Sequence, residues 1–449
     1  MLSIDDLNDW TGGLGGHPQA KTPNIDRLAK QGTLFTNAHC QSPVCNPSRA
    51  SLMTGRYPHS SGVYFLGPDL KAAPELKDLD TLPERFAKNG YQTLAAGKLF
   101  HTGDKRFFEE YGGSMGGFGP RPKKKISQPH GHPLWDWGAY PESDEEMPDH
   151  KIATWAVEKI KGMPEKLDKP FFMGVGFYRP HVPMYAPKKW FDMFPIEDII
   201  LPEVNADDRS DLSDYAIALT NKNHVSPEHD WVVKAGQWEH AVQSYLASIA
   251  FADYCLGLVL DAIEASPHRD NTILVLFSDH GFHLGEKQRW AKRTIWEDGD
   301  RVPLIISAPG YQADKRTGKP AQLLDIFPTL LELTGLPKDP TQEGNSLVPL
   351  LENPECKWPN ISLSSFGKGN YAIRSEHYRF IQYLDGSEEF YDHREDPHEW
   401  HNLIESADSD LLKVIEEHRS HLPKNDVAVL PASSTGHKAY EAAAEVMGR

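Results

Sequence analysis

Acidic and imidazole side chains follow two apolar runs that have the character of strands. Asp5 and Asp6 come directly after the first apolar residues of the chain, and Asp279 and His280 come just after the apolar run 273–277. In α/β sheets, ligands bind beyond the carboxyl ends of the parallel strands, so we expect these four side chains to meet there. Their oxygen-rich set favours calcium or magnesium over zinc. Acidic residues at strand ends are also common as solvated loop residues or helix caps, which leaves the metal site open at this point.

A cysteine stands at the start of a segment with helical character. Cys45 precedes Pro47 and Arg49, and Gly55 follows at the end of the segment. Proline near the start and glycine after the end are typical of a helix. A helix N-terminus directs free N–H groups and a positive dipole end toward an anion, and Arg49 adds a cation one turn along. These residues indicate an activated cysteine in an anion-binding corner, although a single cysteine beside a helix start is more often a buried structural residue.

The elements that must position these residues alternate between strand-like and helical patterns. This alternation predicts an α/β fold in which a large, mostly parallel sheet is sandwiched by helices. The run 273–277 is continuously apolar, as expected of a central strand buried on both faces. The other predicted elements are the strands 91–96, 171–177, 378–383 and 389–392 and the helices 23–31, 83–88, 152–160 and 238–264.

The pattern changes after Gly335, where short strands and turn signals replace the alternation of strands and helices. We therefore predict a catalytic domain over residues 1–350 and a smaller C-terminal α+β subdomain over residues 351–449. The end of the chain, from about residue 424, is polar and rich in alanine, which predicts a flexible tail. Residues 185–235 are rich in Pro, Asp and Asn and are interpreted as an insertion of loops.

Composition limits the classes of protein and of partner. The 449 residues include 47 basic and 64 acidic side chains, for a net charge of −17, which argues against nucleic acid as a partner. No stretch approaches the roughly 20 continuous apolar residues of a membrane span. Four cysteines in a chain of this length do not form a disulfide framework. The first residues have neither the basic nor the apolar region of a signal peptide, so we interpret the chain as a mature or trimmed form.

The segment from Cys45 to Arg56 has the pattern Cys-x-Pro-Ser-Arg-x-x-x-x-Thr-Gly-Arg, which resembles the signature of the type I sulfatases of the alkaline phosphatase superfamily. The likeness extends over nearly the whole chain, through Gly-Lys-x-x-His at 97–101, Pro-His-x-Pro at 180–183 and Asp-His-Gly at 279–281. A Gly-Glu-x-x-x-Trp-Ala-Lys run at 285–292 is most similar to the subgroup of iduronate-2-sulfatase and its bacterial relatives. The resemblance implies an alkaline phosphatase-like fold.

The resemblance also implies a cofactor and a modified residue. Cys45 is expected to be oxidised after translation to formylglycine, by a formylglycine-generating enzyme or an anaerobic maturase. Calcium, with magnesium as the alternative, is then expected to be held by Asp5, Asp6, Asp279 and His280 together with the modified residue 45.

Catalytic roles follow from the same resemblance. The hydrated aldehyde at position 45 is expected to attack sulfur. Arg49, Lys98 and Lys292 are expected to neutralise the sulfate oxygens. His181 is the expected acid that protonates the departing sugar oxygen, and His101 is expected to take a proton from the second hydroxyl of the hydrate, so that sulfate is eliminated and the aldehyde returns.

The substrate implied by the resemblance is a sulfated carbohydrate, and the implied location is periplasmic or secreted. We expect a 2-O-sulfated uronate, with a marine algal polysaccharide of the ulvan or carrageenan type as the alternative. Two other functions stay open. One is that of a formylglycine-dependent phosphodiesterase or phosphonate hydrolase, and the other is that of an inactive binder of sulfated glycans. The sequence predicts no oligomeric state.

Residues beyond the motifs bear on substrate choice. Phe282 stands where the iduronate-2-sulfatase subgroup has Trp, and His283 stands where it has a small residue. Because Phe lacks the N–H donor of Trp, we expect weak selectivity for a uronate carboxylate. With the loop 120–140, these two residues are expected to form the outer part of the pocket. Trp135 and Trp137 are candidates for stacking on sugar rings, although aromatic residues are commonly part of the core.

Overall fold

A computed structural model describes residues 1–130, 132–221, 225–432 and 435–446, and an eight-stranded sheet lies at its centre. In chain order, its strands are β1 (Leu2–Ile4), β2 (Thr33–Phe35), β3 (Gln92–Gly97), β4 (Glu110–Tyr111), β5 (Phe171–Phe177), β6 (Leu274–Ser278), β7 (Leu304–Ser307) and β8 (Lys315–Thr317). Their spatial order is β8-β2-β7-β6-β1-β5-β3-β4. Among these strands β7 alone runs antiparallel to its neighbours. The predicted large, mostly parallel sheet is confirmed.

The register of the central strands brings the predicted site segments to one edge. Strand β1 lies between β5 and β6, and Ile4 is paired with Phe177 on one side and with Ser278 on the other. The residues that follow these three therefore leave the sheet side by side. Strand β3 ends next to β5, where Gly97 is paired with Gly176. The segments that begin at residues 5, 98, 178 and 279 are thus gathered by strand pairing alone.

Helices cover both faces of this sheet, as predicted. Those of seven or more described residues are α1 (Pro23–Gln31), α2 (Cys45–Thr54), α3 (Leu82–Lys88), α4 (Pro148–Lys161), α5 (Asp214–Asn221), α6 (Trp238–Glu264), α7 (Ile326–Leu333), α8 (Ser409–Ser420) and α9 (Thr435–Val446). Helices α1, α4 and α6 pack on the face that carries Leu276, whereas α2, α3 and α7 pack on the face that carries Val275 and Phe277. Alternate residues of one central strand therefore enter two separate apolar cores.

Helix α6 is long and apolar enough to cross a membrane by length and composition alone. The mean hydropathy of its most apolar 18-residue stretch is 1.7, and 78% of that stretch is buried inside the protein. The same values are found in the core helix of a globular protein, and α6 packs against α4 and α1.

The C-terminal part of the chain forms a separate four-stranded antiparallel sheet. Its strands are β9 (Ser362–Ser365), β10 (Tyr371–Arg374), β11 (Tyr378–Gln382) and β12 (Glu388–Asp392). They pair in sequence order, and α8 packs on one face through Ile415. The predicted C-terminal α+β arrangement is confirmed, while the boundary at 350 stays a prediction. Within the tail predicted after about residue 424, the described part contains α9, which packs against α5.

The interpretation of residues 185–235 as loops alone is wrong. The described part of this segment contains the helices Lys188–Phe191, Asp214–Asn221 and His229–Lys234. These helices are short and separated by turns, so their local sequence has few periods in which an apolar face can show. Their buried residues, such as Tyr215 and Val232, join the cores of the molecule.

Candidate active site

The five predicted metal ligands meet at the carboxyl edge of the central strands. Their ligand atoms all lie within 4.8 Å of one another and all five residues are buried: Asp5, Asp6, Cys45, Asp279 and His280. The Oδ2 atom of Asp6 is buried and has no hydrogen-bond partner among the described residues. An orphan carboxylate oxygen inside an oxygen-rich cluster is suited to a hard divalent cation.

A turn after β1 aims two consecutive carboxylates at this cluster. The Asp5 amide continues the strand ladder by donating to the Phe177 carbonyl at 3.1 Å. Asp6 then adopts a left-handed conformation with φ of 64°, and its amide donates to Asp279 Oδ1 at 3.1 Å. The Asp6 carbonyl accepts from the Tyr245 hydroxyl of α6 at 2.6 Å. These bonds hold a backbone conformation that a non-glycine residue rarely adopts, so both side chains reach the same centre.

His280 presents one ring nitrogen to the cluster and anchors the other. Its Nδ1 lies 3.0 Å from the Gly281 carbonyl, which can only accept, so Nδ1 carries the proton. Nε2 then faces Cys45 Sγ at 3.2 Å and Asp6 Oδ1 at 3.3 Å. Metal-binding histidines are commonly oriented by such a bond from the remote nitrogen to a carbonyl.

Cys45 is the first residue of α2, and its thiol is surrounded by positive charge. Its Sγ lies 3.3 Å from Lys292 Nζ and 3.2 Å from His280 Nε2. Burial opposes ionisation of the thiol, but the charges of Lys292, Lys98 and His280 together hold its pKa well below the usual value. His101, which forms a hydrogen bond with the thiol, also lowers this pKa. The structure thus gives Cys45 the environment of an activated residue.

Three buried cations match the three carboxylates of the cluster. Arg49 pairs with Asp5 at 3.1 Å and with Asp279 at 2.9 Å. Lys98 Nζ lies 2.6 Å from Asp5 Oδ2. The third pair joins Lys292 and Asp6, whose Nζ and Oδ1 atoms are 2.6 Å apart. Arg49 also donates to the carbonyls of residues 98 and 99, which fixes the end of β3 against α2.

The two remaining predicted residues approach from the ends of β3 and β5. His181 Nε2 lies 3.8 Å from Asp6 Oδ2, and its Nδ1 is bonded to the Val182 carbonyl at 2.6 Å. Its ring also packs on Phe118, with ring centroids 4.4 Å apart. His101 lies near Cys45, and its hydrogen bond to that side chain lowers the pKa of the thiol. The structure therefore brings all the sequence-predicted site residues together.

The aromatic residues expected around the pocket lie in the core instead. Trp135 and Trp137 are only 2% and 1% exposed, so their interpretation as platforms for sugar rings is wrong. Phe282 stacks on Tyr245 with centroids 5.3 Å apart, and buried His283 is bonded to the Thr294 hydroxyl. All four side chains are therefore packed within the core.

Sequence reasoning missed two residues that contact or approach the site. Tyr245 holds the Asp6 carbonyl from the middle of α6, and nothing in the local pattern of that apolar helix distinguishes it. Arg293 follows Lys292 directly, and the charges of Cys45 and Asp6 act on its guanidinium. Arg293 could have been found from the sequence, because it is a second cation directly beside the predicted catalytic Lys292.

A mostly parallel sheet that gathers a buried thiol, carboxylates and cations at its carboxyl edge is typical of hydrolases of the alkaline phosphatase-like class. Comparison with family models matches residues 1–336 to the sulfatase family and residues 285–426 to the C-terminal domain of N-sulphoglucosamine sulphohydrolase. The chain belongs to the sulfatase family and is a sulfuric ester hydrolase.

Curated relatives agree with this family. A sulfatase of Formosa agariphila is 40% identical over 442 residues, which cover 95% of this chain and 86% of that protein. An ulvan-active sulfatase of the same organism is 30% identical over 438 residues, or 90% and 77% of the two chains. Iduronate 2-sulfatase of Mus musculus is 28% identical over 393 residues, which cover 76% of this chain and 69% of that protein.

Solved structures share the fold. A phosphonate monoester hydrolase from Silicibacter pomeroyi superposes with a TM-score of 0.77 at 20% identity, covering 98% of this chain and 97% of that one. A 2-O glycosaminoglycan sulfatase superposes with a TM-score of 0.69 at 24% identity, covering 94% of this chain and 90% of that one.

Proposed function

We propose that the protein hydrolyses O-sulfate esters of carbohydrates, with calcium at the buried cluster and with Cys45 oxidised to formylglycine. The observation that carries this proposal is the thiol of Cys45 within one oxygen-rich cluster, at the N-terminus of a helix and surrounded by Lys98, Lys292 and His280. Calcium or magnesium suits the donor set, which consists of three carboxylates and one imidazole beside residue 45. A bound divalent ion supplies positive charge that polarises a sulfate oxygen and acidifies a hydroxyl.

Charge balance supports an anionic substrate in this acidic protein. The cations Arg49, Lys98 and Lys292 formally cancel Asp5, Asp6 and Asp279, so a divalent ion leaves the site positive. That excess attracts a sulfate ester and stabilises charge that shifts onto its oxygens. Formylglycine in its hydrated form supplies the nucleophilic hydroxyl, which a cysteine thiol lacks.

The positions of two imidazoles support the two proton transfers that the proposal requires. His181 Nδ1 donates to a carbonyl, which leaves Nε2, on the side of Asp6, as the ring atom that would give a proton to the leaving sugar oxygen when the ring is doubly protonated. His101 is bonded to the side chain at position 45 and is therefore suited to take a proton from it. We propose His181 as the acid and His101 as the base.

For the substrate, we propose a 2-O-sulfated uronic acid at a chain end. The likeness to iduronate 2-sulfatase supports it, while the 30% identity to an ulvan-active sulfatase supports a sulfated algal polysaccharide as the second candidate. The proposed partners are the sugar and a formylglycine-generating or anaerobic maturase enzyme, and the proposed location is periplasmic or secreted.

The test combines a mass measurement with an activity panel. A tryptic peptide that contains residue 45 should have the mass of an aldehyde in place of a thiol. The enzyme should hydrolyse sulfated sugars far faster than matched phosphate and phosphonate esters. Cys45→Ala should abolish turnover, whereas Cys40→Ala, a matched change at another buried thiol, should retain it.

Three outcomes would contradict the proposal. Faster phosphonate than sulfate hydrolysis would favour the phosphonate hydrolase alternative. An unmodified thiol in active protein would exclude formylglycine. Tight glycan binding without any turnover by protein that carries the aldehyde would favour an inactive binder.

A further inference from the structure

A short run of cations, residues 121–124, lies on the surface of this acidic protein. Arg121, Lys123 and Lys124 are exposed, whereas the whole chain has a net charge of −17. None of the three side chains forms an ion pair or a hydrogen bond with any part of the chain that the structure describes. Exposed lysines elsewhere are paired, as Lys234 is with Asp230 at 2.9 Å. Runs of like charge are often only solvated, so the significance of this basic run depends on its position.

The chain just before the basic run packs on the candidate active site. The ring centroids of Phe118 and His181 are 4.4 Å apart, and Lys98 Nζ lies 5.2 Å from the Phe118 centroid. The Gly119 carbonyl accepts from the Arg179 guanidinium at 3.3 Å. His181 and Lys98 are buried, whereas Phe118 is partly exposed. Phe118 therefore lies at the outer boundary of the site, and the basic run begins three residues after it.

The chain just after the basic run is fixed as well. Lys125 Nζ donates to the carbonyl of buried Trp135 at 2.8 Å, and the Ile126 amide donates to Asp136 Oδ2 at 2.8 Å. The basic run is thus a short exposed loop between two anchored segments. Three to six residues of fully extended chain reach at most about 11 to 22 Å, which bounds the distance of the run from the backbone of Phe118. An oligosaccharide whose end occupies the active site reaches this far with its next few sugar residues.

The charge of the basic run selects the chemistry of its occupant. Lys98, which contacts Phe118, is one of the cations proposed to bind the scissile sulfate, and the basic run lies outside that buried group. Groups of the substrate that stay outside the site therefore meet it. Neutral sugars gain no electrostatic attraction from three exposed cations, whereas sulfate and carboxylate groups do. The net negative charge of the protein repels such groups elsewhere, so the run gives an anionic chain a preferred direction.

We propose that Arg121, Lys123 and Lys124 bind sulfate or carboxylate groups on sugar residues beyond the one that is cleaved. The enzyme then prefers an anionic oligosaccharide chain to an isolated sulfated sugar. This inference rests on the proposed function and narrows its substrate class to chains with acidic groups on several sugar residues. Exposed ion pairs are individually weak and are screened by salt, so the preference has to depend on ionic strength.

The test compares two substrate lengths at two salt concentrations. A sulfated disaccharide and a hexasaccharide with the same sulfated end, and with acidic groups on each further sugar, are compared by kcat/KM. At about 0.02 M salt the hexasaccharide should be favoured about tenfold, because three exposed ion pairs of about twofold each are formed and attraction speeds association. At about 0.5 M salt screening should reduce this preference below about twofold.

Two triple variants assign the effect to the basic run. Arg121→Gln, Lys123→Gln and Lys124→Gln together should reduce the preference at low salt below about twofold. The matched control makes the same charge change with Gln at three other exposed cations: Lys161, Lys166 and Lys169. These precede β5, at the edge of the sheet opposite the site, and the control should retain the tenfold preference. Equal preferences in the two variants, no preference in the unchanged enzyme, or a preference that persists at high salt would overturn the proposal.

Failure of the proposed function is distinguishable from failure of this inference. If no sulfate ester is turned over, calorimetry at low salt with a heparin-derived hexasaccharide still tests the basic run. Affinity that weakens at least about fivefold in the variant of the basic run, but not in the control, supports the binding surface independently of hydrolysis. Equal affinities of the two variants overturn it.

Discussion

At the scale of single residues, the site is a set of mutually dependent charges. Asp5 is held by Lys98 and Arg49, and Asp6 is held by Lys292, all in a fully buried setting. Removal of one member of a buried pair leaves the other uncompensated, which costs far more than a surface pair contributes. Substitutions of these residues therefore change stability and activity together. Tests of single roles are cleaner at the two histidines, because the short ion pairs of Asp5 and Asp6 with Arg49, Lys98 and Lys292 remain in their variants.

The role of His181 is testable through the leaving group. In His181→Asn, hydrolysis of a sulfated sugar should fall at least about 100-fold, because general acid catalysis contributes about 10²–10⁴-fold when the departing oxygen is basic. Hydrolysis of 4-nitrophenyl sulfate should fall much less, since nitrophenolate leaves without a proton. The measurement is kcat on both substrates, with His268→Asn as a control at the far edge of the molecule. Equal losses on both substrates would contradict an acid role.

Metal removal is expected to act on activity and on stability. Chelation should abolish turnover and lower the melting temperature, because an ion bound only by the folded protein stabilises it and the orphan oxygen of Asp6 loses its ligand. Calcium or magnesium should restore both. Thermal unfolding and activity are measured before chelation, after it and after addition of each ion. Restoration by zinc but by neither calcium nor magnesium would show that the oxygen-rich coordination was wrongly interpreted.

At the scale of elements, the strands decide where the chemistry occurs. The ends of β1, β5 and β6 are aligned by register, so residues far apart in sequence leave the sheet together. The apolar runs and the rule for strand ends were sufficient to predict this meeting of Asp5, Asp6 and Asp279. The helix 23–31 was predicted with the observed bounds because Pro23 and Gly32 mark its ends locally, and the helix predicted at about 238–264 is also observed.

Contacts between distant segments explain why the sequence did not predict the burial of Trp137. The short strand Trp137–Ala139 pairs with Met184–Ala186, and this contact carries Trp137 into the core, where its ring faces Trp290. No local pattern reports a pairing between segments almost fifty residues apart. The same limit applies to Tyr245, whose significance depends on a neighbour from another element.

The end of β3 supports a prediction at this scale. Gly97 has φ of 80°, and a Cβ atom there would lie 1.9 Å from the Gly176 carbonyl oxygen of β5. Gly97→Ala should therefore cost at least about 3 kcal/mol of unfolding free energy and reduce kcat more than about tenfold, because Lys98 must move with the strand end. Urea titration and steady-state kinetics measure the two effects.

Gly90 offers the matched control for backbone strain. Its φ of 86° is similar, but a Cβ atom there would meet nothing within 4 Å. Gly90→Ala should cost only the left-handed strain of about 1–2 kcal/mol and leave kcat unchanged. Similar losses of unfolding free energy in Gly97→Ala and Gly90→Ala would show that steric contact with β5 does not set the position of Lys98.

At the scale of the whole molecule, a second buried charge network joins the C-terminal sheet to the segment between β6 and β7 and to His39. Arg379 of β11 is fully buried and pairs with Asp300 at 3.0 Å and with Glu399 at 2.6 Å. Glu297 accepts from Arg374 of β10 at 3.2 Å and contacts His39 at the same distance. Side chains from three parts of the chain therefore depend on each other, which favours unfolding as one unit over separate opening of the C-terminal part.

His39 gives this network a dependence on pH. Burial lowers its pKa to about 3 in the folded protein, against an ordinary value of 6.5. As pH falls below about 6.5, the unfolded chain therefore binds a proton that the folded protein rejects, so stability is lost toward acid pH. From about pH 7.5 to about pH 5 this one residue should cost about 2 kcal/mol of unfolding free energy. In His39→Gln, urea titrations at the two pH values should show a loss smaller by that amount, whereas His401→Gln, at an exposed position, should retain the full loss. An unchanged pH dependence in His39→Gln would mean that His39 is already charged inside the network.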